Sequence, residues 1–188
     1  GANITTLLTD ANKAKIGTGN ALNFSLTGST DSDGNASTSI AASDLIALQA
    51  LTSGSILAVV DGSITGSIAD LKTVYASNTA KTDAGAAPAG AVFSGLEAEP
   101  IIVASTETST NASDLLYLNG KNGANTVTHS TSVLTGTKAE IAAAYTADTG
   151  DGATLVGLGA AVAITVTDSS ITAADLDAVN ALSTYFFL

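Results

Sequence analysis

The sequence predicts an α/β fold, a short and irregular repeat array of solenoid type in which parallel-type strands alternate with short helices. Two observations support this fold class. A helix-start motif recurs five times along the chain, and continuous apolar runs of strand length lie between its copies. The same strands also allow an alternative, a β-solenoid or a β-sandwich with short helices.

The two clearest copies of the motif, residues 39–53 and 170–184, align without a gap. In each copy a small polar residue precedes an acid, Asp44 or Asp175, and leucine follows the acid. A Ser or Thr cap accepts hydrogen bonds from the free backbone N–H groups of a helix start, and an acid in the first turn complements the helix dipole. The motif therefore indicates the beginning of a helix.

Weaker copies supply three more such acids. The complete set, which we call the helix-start acids, is Asp44, Asp70, Asp114, Glu140 and Asp175. Apolar residues follow each acid at helical spacing, so each copy predicts a helix of about two turns. For the two best copies we predict helices over residues 43–51 and 173–182, with Leu45 and Leu176 equally buried.

Strand-forming runs occupy the segments between the predicted helices. Several are continuously apolar instead of alternating, which favours strands that are covered on both faces, as in parallel sheets with crossover helices. The runs are residues 55–60, 100–104, 125–128, 132–134 and 161–166.

The spacing of the helix-start acids is irregular. They recur at intervals of 26, 44, 26 and 35 residues, whereas a regular solenoid keeps one period. The longest interval contains a segment rich in Ala, Asp, Gly and Pro, at about residues 77–91, which we interpret as an exposed loop insertion. We therefore expect one elongated repeat domain over residues 1–188, with this insertion.

Charge and composition exclude several classes of partner. The chain of 188 residues has 17 acidic and 6 basic residues, a formal net charge of -11, which would repel a phosphate backbone, so we expect no nucleic acid partner. The longest apolar stretch, residues 153–166, is too short and too interrupted by glycine to span a bilayer, so we expect no membrane insertion. The absence of cysteine excludes disulfides and thiolate metal sites.

The units of strand, turn and helix start resemble the repeat regions of large secreted bacterial surface proteins, including adhesins, surface-layer proteins and type I-exported chains. The resemblance rests on the segment Asp168-Ser-Ser-Ile-Thr-Ala-Ala-Asp175-Leu and its copy at residues 39–45. It implies an extracellular or cell-surface location and a structural or adhesive module that self-assembles or forms part of a larger surface protein or filament. It carries over no catalytic residues, because these families share an architecture and not an active site.

No residue pattern points to catalysis, and we predict that the protein is not an enzyme. The single histidine, His129, is not accompanied by a nucleophile elbow. The acids Glu97 and Glu99 precede Pro100 at a strand entrance, where we expect solvated charge. Aromatic residues, which would stack on a sugar, make up only 4% of the chain. A hydrolase on a solenoid scaffold remains the second alternative function.

One loop has the chemistry of a calcium site. Its oxygen ligands, Asp31, Asp33 and Asn35, stand at alternate positions, which suits Ca²⁺. The Gly and the bidentate Glu of an EF-hand are out of position, so an Asp/Asn/Gly turn is the competing interpretation. With Asp148 and Asp151 as a weaker second site, this loop makes a calcium-dependent carbohydrate- or surface-binding module the first alternative function. We expect no other cofactor.

Apolar residues near both ends of the chain predict assembly. Unlike apolar ends of an uncapped array favour head-to-tail contacts, so we expect partners that are copies of the chain or adjoining repeats. The residues that we assign to these contacts are Ile4, Leu7 and Leu8 on one side and Tyr185, Phe186, Phe187 and Leu188 on the other.

Overall fold

The computed structural model has a mixed α/β fold with parallel sheets and short helices, which confirms the α/β class and the parallel strands of the prediction. The structure describes residues 8, 21–26, 29–30, 36–37, 39–58, 62–78, 93–96, 99–123, 125–149, 154–159, 162–183 and 186–187. No helix in these segments is long and apolar enough to cross a membrane.

Five helices lie in the described segments, and each overlaps one copy of the helix-start motif. They are α1 (Ala42–Gln49), α2 (Ile68–Ala76), α3 (Ala112–Lys121), α4 (Lys138–Thr149) and α5 (Ala173–Asn180). The predicted capping chemistry is present at α5, where Thr172 Oγ1 accepts a hydrogen bond from Asp175 N at 3.2 Å and the Asp175 carboxylate accepts one from Thr172 N.

Short strands connect the helices, and every predicted strand run overlaps one of them. The strands are β1 (Phe24–Leu26), β2 (Ser29–Thr30), β3 (Ala36–Ser37), β4 (Ile40–Ala41), β5 (Ile56–Ala58), β6 (Ile64–Gly66), β7 (Phe93–Ser94), β8 (Ile101–Val103), β9 (Ser109–Asn111), β10 (Val127–Thr128), β11 (Val133–Gly136), β12 (Leu155–Val156), β13 (Ala163–Val166) and β14 (Phe186–Phe187).

Three of the sheets are entirely parallel. Their strand orders are β1-β5-β7, β12-β10-β8-β6-β4 and β14-β13-β11-β9, while β2 and β3 form a separate antiparallel pair. Neighbouring strands such as β8 and β10, or β11 and β13, are separated in the chain by a helix. The connections are therefore the helical crossovers that parallel pairing requires.

The core is built from inward-facing residues that stand in register on neighbouring strands. In the five-stranded sheet, Ile64, Ile101, Val127 and Leu155 form one such row, and all four are fully buried. The outward-facing row of the same sheet includes Ile102, which is 39% exposed. Among the described residues, this parallel sheet is therefore covered on one face only, and not on both faces as its apolar runs suggested.

The helices cover the core in chain order, and each contacts the next one. The apolar residue directly after the helix-start acid is fully buried in four helices, at Leu45, Leu71, Leu115 and Ile141. Its counterpart on α5, Leu176, is only half-buried. The prediction of equal burial for Leu45 and Leu176 is therefore wrong, because α4 packs against one side of α5 while most of the remaining surface of α5 is exposed.

Glycine permits two of the helices to approach the preceding helix closely. A Cβ atom on Gly66, just before α2, would lie 2.9 Å from the Cβ of Ala42, the first residue of α1. Likewise, a Cβ atom on Gly136, just before α4, would lie 3.2 Å from the Cβ of Ala112 at the start of α3. Carbon atoms pack at about 3.5–4.0 Å, so a side chain at Gly66 would force the two helices apart.

Replacement of Gly66 by Ala should lower the free energy of unfolding by about 1–3 kcal/mol, because it overpacks the contact with Ala42. Gly120 is the matched control, since a Cβ atom there meets nothing within 4 Å and the residue lies in α3. Gly120→Ala should raise the stability by up to about 1 kcal/mol. Urea unfolding of both variants measures the difference, and equal effects would contradict the close-packing argument.

Candidate functional site: the helix-to-helix contact surface

Two ion pairs join successive helices through the helix-start acids. Lys72 Nζ on α2 binds the carboxylate of Asp114 on α3, and Lys138 Nζ on α4 binds that of Asp175 on α5. The hydrogen bond from Lys138, followed by that from Thr172, lowers the pKa of Asp175. Ion pairs at partly exposed positions add little free energy. Their main effect is to define which helix faces can meet.

A second set of contacts lies at the opposite end of each helix. Eight residues after every helix-start acid stands a polar residue at the turn into the next strand, and we call these the corner residues. They are Thr52, Asn78, Asn122, Asp148 and Ser183. All are buried except Asp148, which is half-buried. These residues were not among the predicted sites, although their constant spacing from the acid is visible in the sequence.

Each corner residue hydrogen-bonds to backbone. The amide of Asn78 donates to Leu96 O at 2.7 Å, and that of Asn122 donates to Asn125 O at 2.8 Å. The hydroxyls of Thr52 and Ser183 donate to the carbonyl oxygens of Leu22 and Val162, respectively. Backbone groups at buried turns need such partners, so these side chains hold the chain where it leaves a helix.

Removal of the corner side chain in Asn122→Ala should lower the free energy of unfolding by about 1–3 kcal/mol, because the Asn125 carbonyl then loses its hydrogen-bond donor. Asn180→Ala is the control, since Asn180 is exposed on α5 and should change stability by less than about 0.5 kcal/mol. Chemical denaturation of both variants tests the expectation. A similar small effect at both positions would count against the corner role.

His129 lies near one of the corner residues, Asp148. Its ring is 5% exposed, Nδ1 accepts a hydrogen bond from Thr131 N at 3.5 Å, and Nε2 has no partner among the described residues. Asp148, the nearby corner residue, accepts hydrogen bonds from Gly157 N and Leu158 N. Burial lowers the pKa of His129, and the Asp148 carboxylate partly offsets this effect. The folded protein therefore holds His129 in its neutral form.

The stability of the protein should fall as the pH drops below about 6.5, the ordinary pKa of histidine. The unfolded chain binds a proton there, whereas His129 in the folded chain does so only at lower pH, so this contribution is fully present above 6.5. Thermal unfolding at a series of pH values measures it. The variant His129→Gln serves as the control, because it retains the pH dependence that comes from the carboxylates. If stability depends on pH in the same way in this variant, His129 is not the source of the loss.

Glu99 is buried, contrary to the solvated position that we expected. It is 1% exposed, and its carboxylate accepts a hydrogen bond from the hydroxyl of Tyr75 on α2. Burial, and then the charge of Glu99, raises the pKa of Tyr75, so the tyrosine remains a donor. The pair ties α2 to the chain that enters β8. Glu97, the other acid of this candidate pair, lies outside the described residues.

The predicted calcium ligands Asp31, Asp33 and Asn35 lie outside the described residues, between the paired strands β2 and β3. Asp151 also lies outside them. Within the described segments, no group of three or more His, Asp and Glu side chains is placed to hold a metal ion.

Most of the predicted assembly contacts are likewise not described, namely Ile4, Leu7, Tyr185 and Leu188. Leu8 is half-buried and packs against the core. Phe186 and Phe187 form β14, which pairs in parallel with β13. Of the predicted loop at residues 77–91, Ser77 and Asn78 are buried, and the remainder is not described.

The open side of α5 is the surface around Leu176 and Asp177, where the described residues cover α5 less than they cover the other helices. On α2 the residue two positions after the helix-start acid, Lys72, reaches the next helix and binds Asp114 on α3. On α5 the same position carries the exposed acid Asp177. The other three helices carry an apolar residue there, at Ile46, Leu116 and Ala142.

Comparisons of the chain with protein-family models, curated proteins and solved structures found no match.

Proposed function

We propose that the protein is a non-enzymatic, extracellular structural module that extends by stacking. In this proposal a unit is a helix together with the strand that precedes it, and the open side of α5 receives a further unit from a copy of the chain or an adjoining repeat. The observation that carries the proposal is Leu176, which is half-buried at a position that is fully buried in the four other helices. A further unit would cover it.

The proposed architecture is the short, irregular solenoid-like array. It is supported by the positions that the five helices share: an acid in the first turn, an apolar residue directly after it, and a polar corner residue eight positions later. Such units cannot bury their apolar faces alone and gain stability from their neighbours. The sheet edge supports extension too, because β12 is an edge strand whose backbone can pair with an added strand.

The charge on α5 makes the stacking contact conditional. A following unit that is built like the described ones would bring its helix-start acid opposite Asp177, where Lys72 on α2 meets Asp114. Two like charges in contact oppose association, and dissolved ions screen this repulsion over about 8–10 Å. We therefore expect stacking to be weak at low ionic strength and stronger with added salt or divalent cations.

Two substitutions on the open side of α5 should shift association in opposite directions. Leu176→Ser removes apolar contact area and should weaken it, whereas Asp177→Lys copies the arrangement of Lys72 and Asp114 and should strengthen it. Glu107→Lys changes the net charge equally at a site away from α5. Sedimentation velocity over a range of protein and salt concentrations measures the assembled fraction.

Stacking of separate copies is refuted if all four proteins remain monomeric under every condition. A covalent head-to-tail tandem of two chains tests the adjoining-repeat form of the proposal. There, Asp177→Lys in the first copy should raise the melting temperature relative to the unsubstituted tandem, and the same substitution in a single chain should not. An equal change in both would refute a contact at this face.

A further inference from the structure

A groove with a volume of about 470 Å³ lies between α2 and the start of α3. Its polar lining comprises Lys72, Thr73, Glu107, Ser109, Asn111 and Asp114. The volume falls within the range of about 300–1,000 Å³ that is usual for sites that bind small molecules.

The groove lies at a helix junction that lacks a glycine–alanine contact. At the α1–α2 and α3–α4 junctions, a glycine before the second helix packs against alanine at the first position of the preceding helix. At the α2–α3 junction the corresponding residues are Thr110 and Ile68, and both of these larger residues line the groove. The α4–α5 junction also lacks the small pair, with Lys138 and Ile171 at these positions.

The groove offers hydrogen bonds of both kinds with little net charge. Lys72 is paired with Asp114, so Glu107 is the remaining unpaired carboxylate in the lining. Asn111 Oδ1 accepts hydrogen bonds from the backbone and hydroxyl of Ser113, which leaves its amide N–H groups as donors. Glu107 disfavours an anion, and the ammonium group of Lys72 disfavours a cation. This combination selects a neutral ligand with several hydroxyl or amide groups.

An aromatic ring stands next to these groups. Lys72 Nζ lies 5.9 Å from the centroid of the Tyr117 ring, and Lys121 Nζ lies 5.3 Å from it. Tyr117 is half-buried on α3, one helical turn after Asp114. Tyr117 is not part of the groove lining, and both ammonium groups lie over its ring, so hydrogen bonds to a rim of hydroxyls and not aromatic stacking would hold a sugar in the groove.

We propose that this groove binds a neutral carbohydrate, one or two sugar rings of a longer glycan. The sugar hydroxyls would bond to Lys72, Asn111 and Glu107, which line the groove. The site does not depend on stacking, because the groove is formed by α2, α3 and β9 of a single chain. It would give a stacked module an array of weak sites whose affinities reinforce one another.

Amide chemical shifts of the full chain, recorded by NMR during a titration, test the site. The probes are four neutral disaccharides (cellobiose, maltose, lactose and diacetylchitobiose) and two charged sugars, glucosamine and galacturonic acid, each added to millimolar concentration. At least one disaccharide should shift the amides of Ser109 and Asn111 in a saturable way, and the charged sugars should not. The protein concentration is kept where sedimentation shows a monomer, so the outcome is independent of assembly.

Asn111→Ala and Lys72→Met should weaken binding at least about tenfold, a loss of roughly 1.4 kcal/mol. Asn180→Ala, a change outside the groove, should leave the affinity unchanged, and melting curves confirm that each variant is folded. If Lys72→Met does not fold, Asn111→Ala alone decides. The proposal is overturned if no disaccharide shifts the groove amides, if the charged sugars bind as well as the neutral ones, or if Asn111→Ala binds normally.

Discussion

Each element of this protein depends on burial beneath its neighbours in the chain. The helices have only 8 to 12 residues and the strands two to four, lengths at which neither is stable alone in water. What stabilises them is the in-register row of inward-facing side chains, such as Ile64, Ile101 and Val127, covered by the first apolar residue after each helix-start acid. The acid and the corner residue add little apolar burial. They decide where each helix begins and ends, and therefore where the apolar residues face.

The charged groups act mainly on alignment. Lys72 and Lys138 each bind the helix-start acid of the following helix, but from different positions. Lys72 stands two residues after the acid of its own helix, and Lys138 stands two residues before the acid of its own helix. Since partly exposed ion pairs contribute little to stability, their value lies in favouring the observed alignment over a shifted one, in which each lysine would lose its carboxylate partner. The buried pair of Tyr75 and Glu99 is different, because both side chains are removed from water.

Local patterns were sufficient to predict the five helices and five of the fourteen described strands, because capping residues and apolar spacing act within one turn of the chain. Features that depend on a neighbour distant in the sequence were not predicted. The burial of Glu99 depends on Tyr75, 24 residues earlier, and the exposure of Leu176 depends on what lies beyond α5. The corner residues were visible in the sequence but went unnoticed, since a buried Thr, Asn, Asp or Ser has no common side-chain chemistry. Their shared property is a hydrogen bond to backbone, which only the structure displays.

Both proposed interaction sites lie where the shared pattern of the helices is interrupted. Thr110 and Ile68 stand at the α2–α3 junction where the α1–α2 and α3–α4 contacts have glycine and alanine. Asp177 places a negative charge where apolar residues or lysine would have favoured the next contact. Proteins commonly depart from local rules at functional positions. Where helices pack in similar ways along a chain, such departures are what distinguish one helix junction from the next. The α2–α3 junction has gained a polar groove, whereas the open side of α5 combines an incompletely covered leucine with a charge that restricts its partners. A neighbour that places a cation opposite Asp177 would both cover Leu176 and pair with the charge of Asp177. A neighbour with an acid at that point would cover Leu176 only when dissolved ions screen the repulsion between the two acids.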